Sequence, residues 1–407
     1  MLKPKFRSMY YTILFFVAVV FGVLISCSPA KFSTYDKDSQ NANIRSSSNC
    51  PEVSAGVFKC TDTFKVGSGK VDILFVDDNS ASMSSIHRKL AAKFGGFIES
   101  LDSKEIDYRI SITTTDLAAA QKDSLVTFAN GSKVLSKNDS NRVGLFNAGI
   151  SRSETIACED FMKSAFYTYG PSFNTTSYYN QNYYSKCPSG DERGLYTANE
   201  VISKNSGSLI RTDAHLNIIL VSNEDVRSGS YLTDSRFALE AKDTATNFSA
   251  MVNSTYPGKY WEFNSIITKD NSCAVAQQSD FVDNANNPIR DANGNFVVSS
   301  NVGLEYAALS ASASSDIDGN PAPRGQILSI CNNDYTSYFN NIASKISQSA
   351  RLMPLKCNPI SAPVVTRANN TSLSVPYQWQ GDKILFQAGS EGIQITVSYQ
   401  CQLTSAH

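Results

Sequence analysis

The chain has 407 residues, enough for one large domain with an appendage or for two modest ones. Basic and acidic residues nearly balance, 36 against 37 for a formal charge of −1, and no long run of either sign occurs, so neither nucleic acid nor a charged membrane surface is indicated as the main partner. Three histidines, His87, His215 and His407, argue against a zinc hydrolase site.

In chain order the first signal is Lys3, Lys5 and Arg7 ahead of the apolar run "YYTILFFVAVVFGVLIS". This reads as an export signal over residues 1–26, or as an uncleaved anchor, since the run approaches the length that spans a bilayer. Its end, Leu24-Ile25-Ser26-Cys27, resembles a bacterial lipobox. The resemblance implies cleavage before Cys27, lipid such as palmitate on that cysteine, and outer-membrane sorting, because Ser28 rather than Asp follows. Residues 27–56 then form a polar tether. Eight cysteines remain: Cys50, Cys60, Cys158, Cys187, Cys273, Cys331, Cys357 and Cys401. An even set in an exported chain reads as disulfides, and of about 105 pairings the neighbour order is the simplest. No C-x-x-C occurs, so zinc ribbons and thioredoxin-like chemistry have no support.

After the tether, "KVDILFVDD" is a short continuous apolar run, as expected of a strand buried on both faces of a parallel sheet. Met83, Ile86, Leu90, Phe94, Phe97 and Leu101 then recur every three or four residues, one face of an amphipathic helix. "DYRISITTTD" alternates and predicts a second strand, completing a βαβ unit. Further on, "LNIILVSNED", "YWEFNSIIT" and "RGQILSIC" predict strands, while "DSRFALEAKDTATNFSAMV" and "NNDYTSYFNNIASKIS" predict helices. The pattern defines an α/β fold with a doubly wound, mostly parallel sheet over residues 57–351. Residues 352–407 change to period-two alternation, a small antiparallel β appendage. Two insertions interrupt the rhythm. "YTYGPSFNTTSYYNQNYYSKC" is dense in Tyr, Asn and Ser, and "DNANNPIRDANGNFVVSS" carries the turn signal Asn293-Gly294 without the Glu that a calcium loop would need.

The informative motif ends the first strand of the parallel sheet. Such a strand delivers its C-terminal end to the ligand edge, and Asp78, Ser80 and Ser82 follow, spaced two apart. A carboxylate there needs protons, donors or a cation. Hard oxygen donors suit Mg²⁺, with Mn²⁺ or Ca²⁺ as alternatives; a serine that simply caps the next helix is the competing reading.

"DILFVDDNSASM" resembles the first motif of von Willebrand factor A domains, whose metal-ion-dependent adhesion site reads Asp-x-Ser-x-Ser, and the resemblance runs over about Lys70 to Ser349. It implies that Asp78, Ser80 and Ser82 are metal ligands. The family's later Thr corresponds to Ser189, with Glu192 as a rival. Its Asp at the end of the fourth strand corresponds to Asn223, with Glu224 and Asp225 beside it. Asp116, at the end of the neighbouring strand, is a further candidate ligand or a plain turn residue; Asp77 points to the other side of its strand and reads as structural. "TTTD", "SNED" and "SIC" also resemble a subgroup of bacterial lipoproteins of this family, some of which serve gliding motility.

The implied function is an outer-membrane lipoprotein, on the periplasmic face or cell surface, that binds a protein or extracellular matrix ligand. The ligand would present a carboxylate to the cation, with Tyr178, Tyr179, Tyr183 and Tyr184 on the overhanging loop as contacts. The alternative is a structural subunit of an envelope or motility complex with a non-essential or degenerate metal site. Catalysis is not expected, because no nucleophile elbow occurs and His215 opens its strand at the edge opposite Asp78.

Overall fold

The first strands of the structure do not join the parallel sheet. β1 (Glu52–Ser54) pairs with β2 (Val57–Lys65), and β2 pairs antiparallel along its whole length with the last strand, β15 (Gln394–Gln402). The computed structural model describes residues 44–117, 125–227, 238–332, 334–369 and 374–403; the export signal and Cys27 lie outside them. The boundary expected at residue 57 therefore falls differently, with residues 52–65 in the small β unit. The cause is visible in "VFKCTDTFK", which alternates: Phe58 and Cys60 point inward and Lys59 and Thr61 outward.

The parallel sheet comprises β3 (Lys70–Asp77), β4 (Asp107–Thr114), β5 (Leu135–Ser136), β6 (His215–Ser222), β7 (Trp261–Ile267) and, after the small hairpin β8 (Ala313–Ser315) and β9 (Pro321–Pro323), β10 (Ile327–Ser329). Its order is β10-β7-β6-β3-β4-β5, parallel throughout except for the short edge strand β5. This is a mixed α/β fold. The order runs outward from β3 in both directions, so the crevice of such a sheet falls between the C-terminal ends of β3 and β6.

Strand pleating divides the core. Ile73 and Phe75 face one layer, built on α1 (Ser84–Ser103), α2 (Arg142–Ile150) and, at the end of the sheet's chain, a helix at Thr336–Ser349. Leu74 and Val76 face the other, where Leu195, Val201, Phe248, Val252 and Leu309 meet them. Met83, Ile86, Leu90, Phe97 and Leu101 are all fully buried in the first layer, so the predicted helical face is the packed one.

The Tyr-rich insertion is helical: α3 (Ser153–Tyr169), a 3₁₀ turn over Gly170–Thr175 and α4 (Ser177–Lys186). It forms a hairpin closed by Cys158–Cys187. The other insertion packs on it through Phe281, Ile289 and Val298. Its Asn293-Gly294 turn is held by Asp291, whose Oδ1 accepts from the amides of Asn293 and Asn295 at 2.9 Å each, and Gly294 takes φ 83°, open to glycine.

The remaining helices are α5 (Gly194–Ser203), α6 (Ala245–Thr255), α7 (Asn271–Ser279), α8 (Leu304–Ala311) and α9 (Thr336–Ser349). Beyond them β11 (Leu352–Pro354), β12 (Val364–Arg367), β13 (Tyr377–Gln380) and β14 (Lys383–Phe386) complete the small unit, in sheets ordered β1-β2-β15-β12 and β11-β14-β13. Its separate core includes Phe58, Met353, Ile384, Phe386, Ile395 and Val397. The other disulfides join Cys50–Cys60, Cys273–Cys331 and Cys357–Cys401, each to its neighbour in sequence. Among the described residues no helix is long and apolar enough to cross a membrane.

Candidate functional site

Asp78 leaves the C-terminal end of β3 directly beside β6, its amide donating to Val221 O at 3.0 Å. Both of its carboxylate oxygens are engaged. Oδ1 accepts from the Ser80 amide at 2.9 Å, and Oδ2 accepts from the Ser222 hydroxyl at 2.7 Å. The Ser80 and Ser82 hydroxyls lie 2.9 Å apart, and Ser82 donates onward to Asn223 Oδ1 at 3.1 Å. The Asp-x-Ser-x-Ser turn thus closes on itself and on the end of β6. Asn223 is fixed in turn: its carbonyl accepts from Asn301 N, Thr268 Oγ1 and Ser300 Oγ.

The remaining candidates fall into two neighbouring groups. Ser189 and Asp116 meet each other, the Ser189 amide donating to Asp116 Oδ2 at 3.0 Å, while Ser189 Oγ accepts from the Asp191 amide at 3.1 Å. Glu192 is bridged to Asp116 through the backbone and accepts at Oε2 from the Thr115 hydroxyl. Asp225 turns to α8, where its carboxylate accepts from the Glu305 amide at 3.1 Å, close to a helix N-terminus that favours negative charge. Asp77 lies on the opposite face of β3, fully buried with His87 Nε2 at 3.2 Å.

The electrostatics favour protons at this edge. Burial, with the charge of Asp78 beside it, pushes the Glu224 carboxyl up to about 8. Burial first, then Asp78 and Glu224, hold Glu192 well above the usual carboxylate range. Burial raises Asp225 to about 6 against the backbone donors that lower it. Glu224 and Glu192 are satisfied by taking up protons, the cheapest escape for a buried carboxylate, whereas Asp225 has backbone donors.

The expected metal centre is therefore corrected. Among the described residues no group of three or more His, Cys, Asp or Glu side chains is arranged to hold a metal ion. The donor set agrees with this: Asp78 already accepts from Ser80 and Ser222, Ser80 and Ser82 bond each other and Asn223, and Asp116 accepts from the Ser189 amide. Asn223 brings no charge, and its Nδ2, a donor with no hydrogen-bond partner, stands where the resemblance implies a carboxylate. No divalent cation, Mg²⁺, Mn²⁺ or Ca²⁺, is assigned, the adhesion reading built on it falls, and a carboxylate ligand loses the ion that would bridge it.

Side chains that the sequence did not single out complete the edge. Arg193 makes a two-pronged pair with buried Asp243 (2.9 and 2.7 Å) and a contact of 3.1 Å with Glu240. Arg227 makes a similar pair with Asp191, 2.8 Å at each prong. Both flank Glu192, the Arg227 amide donating to Glu192 O at 3.0 Å. "DERG" in the sequence shows the first arginine beside the acid, but Asp243 lies too far along the chain to be paired with it by spacing.

Among the described residues no catalytic relay forms across this edge. His215 opens β6 opposite Val71, seven strand residues before Asp78, or roughly 23 Å. Burial and the nearby Lys259 and Lys383 charges push it down to about 3, so it is neutral near pH 7. His87 is enclosed with Asp77.

The tyrosine hairpin seats against the same turn. Thr155 of α3 donates to Asn79 O at 2.7 Å, and Ala81 packs into the cluster formed by Phe161, Met162 and Phe173. Of the four expected contact residues, Tyr179 stacks on Phe161 with centroids 5.5 Å apart and Tyr183 packs on Tyr179 at 5.3 Å, both turned into the hairpin. Tyr178 and Tyr184 face outward, 47% and 84% exposed.

No protein-family model and no curated relative matches the sequence. Among solved structures the chain bears weak likenesses. The pilus adhesin SpaC from Lactobacillus rhamnosus GG, in its open conformation, aligns at 11% identity and TM-score 0.36, over 88% of this chain and 42% of the adhesin. A von Willebrand factor type A protein from Catenulispora acidiphila aligns at 10% identity and TM-score 0.34, over 88% of this chain and 67% of that one. Proximal thread matrix protein 1 of the mussel byssus aligns at 10% identity and TM-score 0.33, over 72% and 51%. This chain spans less than half the length of the pilus adhesin.

Proposed function

We propose that the chain is a non-enzymatic structural subunit of a bacterial envelope assembly, tethered through lipid on Cys27, in which a von Willebrand A-type domain holds a protein or matrix partner without a metal. The closed hydrogen-bond circuit of Asp78, Ser80, Ser82, Ser222 and Asn223 carries this reading, because it leaves the motif as a rigid corner of the sheet. The proton-holding Glu192 and Glu224 act in the same direction, since protonated carboxyls add no charge to Asp78 that would draw a cation. The lipobox and the polar tether support the location.

Affinity capture of the full chain from solubilised envelopes, with and without EDTA, tests the reading. The same partner is expected in both, and Ser80→Ala, which removes one half-exposed hydroxyl bond worth about 1 kcal/mol, is expected to leave capture unchanged. A partner lost in EDTA and restored by magnesium would refute it. Labelled palmitate is expected to enter the wild type and not Cys27→Ala; equal labelling would remove the tether.

A further inference from the structure

We infer that the outer face of the α3–α4 hairpin binds an uncharged polysaccharide, through a platform formed by Tyr169 and Tyr178 with Gln181 beside it. The inference goes beyond the proposed function and its test does not depend on any envelope partner.

Three observations carry it. Tyr169 and Tyr178 come from different arms of the hairpin, yet their ring centroids lie 5.6 Å apart at 40°, and the rings are 43% and 47% exposed. They form a paired aromatic surface rather than isolated exposed residues. The platform is supported from below: Tyr178 rests on Phe161 at 6.1 Å, Phe161 stacks on Tyr179, and the two arms are tied by Cys158–Cys187. The third observation is chemical. From Ser164 to Ser185 the chain carries no charged side chain, and its exposed polar groups are amides and hydroxyls, with Gln181 one helical turn from Tyr178.

That surface selects among partners. Nucleic acid needs cations for its phosphates, and an anionic membrane needs a basic face. Protein-binding loops also use Tyr, Ser and Asn, but protein interfaces typically place Arg among their aromatics, and this run contains none. A neutral sugar ring needs a flat π-face for its C–H groups and amides for its hydroxyls; the negative face of an aromatic ring meets the weakly positive C–H edge. The hairpin presents both, already ordered.

The purified full chain is run through native gels containing dextran, laminarin or soluble N-acetylglucosamine oligomers, with alginate as the anionic control. Retardation by at least one neutral glycan is expected. Tyr169→Ala/Tyr178→Ala is expected to weaken it about tenfold or more, whereas Tyr169→Phe/Tyr178→Phe, which keeps the rings, retains most of it. Gln181→Ala, at an exposed helical position where alanine is a good helix former, is expected to lower affinity several-fold. Retardation by none of the neutral glycans, by alginate alone, or equally in wild type, the alanine pair and Gln181→Ala would overturn the inference. So would loss of a captured envelope protein in the alanine pair without any glycan binding, which would make the face a protein interface.

Discussion

Raising the pH from 6.5 to 8.5 is expected to destabilise the folded chain, lowering its melting temperature by about 5 °C. Glu192 and Glu224, each raised by burial and by Asp78, are the sources, and Asp225 adds in the same direction. The sign follows from linkage. The folded-state pKa of Glu224 is raised from 4.5 to about 8, so between those values the native chain keeps a proton that the unfolded chain has released. Stability therefore falls with pH through this window. It is complete below about 4.5 and is lost as pH passes 8, with an upper bound of roughly 5 kcal/mol for this one group. Groups of the opposite kind act at lower pH: burial holds His215 down to about 3, so its contribution grows only up to pH 6.5, and bonds from Arg88 and Lys163 outweigh burial and lower Glu159, whose stabilisation is lost only on strong acidification. Glu224→Gln removes the titration while keeping shape, and is expected to flatten the profile and to raise stability at pH 8.5. A wild-type melting curve that is flat or rises from pH 6.5 to 8.5 would mean that the edge is ionised, and the account of its closed corner would fail with it.

The same edge shows what a linear sequence exposes. β3 and the helix after it were readable because Leu74 to Val76 are apolar without interruption and because Met83, Ile86 and Leu90 repeat at helical spacing. Asp78, Ser80 and Ser82 were readable as residues that share a corner. Whether that corner holds an ion depends on what faces it from β6, and there Ser222 and Asn223 supply a hydroxyl and an amide. Spacing locates a group of oxygens; it does not say which of their lone pairs are already used. Tyr178 and Tyr184 face solvent while Tyr179 and Tyr183 face inward for a similar reason. Tyr, Asn and Ser are weak helix formers, and their run suggested a loop. The disulfide and the packing on Phe161 and Phe173 make it a helix, which sorts its side chains by face. β2 was missed because its partner, β15, lies at the other end of the chain.

Arg193→Met is expected to cost about 3–5 kcal/mol of stability, the cost of leaving a buried charge unpaired. Asp243 is fully buried, and its carboxylate receives both prongs of the guanidinium together with the Glu240 amide. Without the arginine that carboxylate keeps one backbone donor and no cation within the bridge. Arg193→Lys is expected to recover part of the loss, since an ammonium keeps the charge but cannot match the planar fork. The consequence reaches beyond one pair, because the Arg193 amide donates to Thr115 O and its neighbour Glu192 takes the Thr115 hydroxyl. The clamp holds the Ser189–Glu192 segment against the end of β4, and hydrogen exchange there should rise in Arg193→Met before the rest of the sheet is affected. Arg193→Met/Asp243→Asn separates the explanations. If the penalty comes from an orphaned buried charge, the double variant is more stable than Arg193→Met alone. If it comes from the lost packing of Arg193 on the Tyr196 ring, whose centroid lies 4.1 Å away, the second substitution restores nothing. A single-variant cost below about 1 kcal/mol, typical of an exposed pair, would show that Asp243 is reached by water and that the edge is not the closed corner described here.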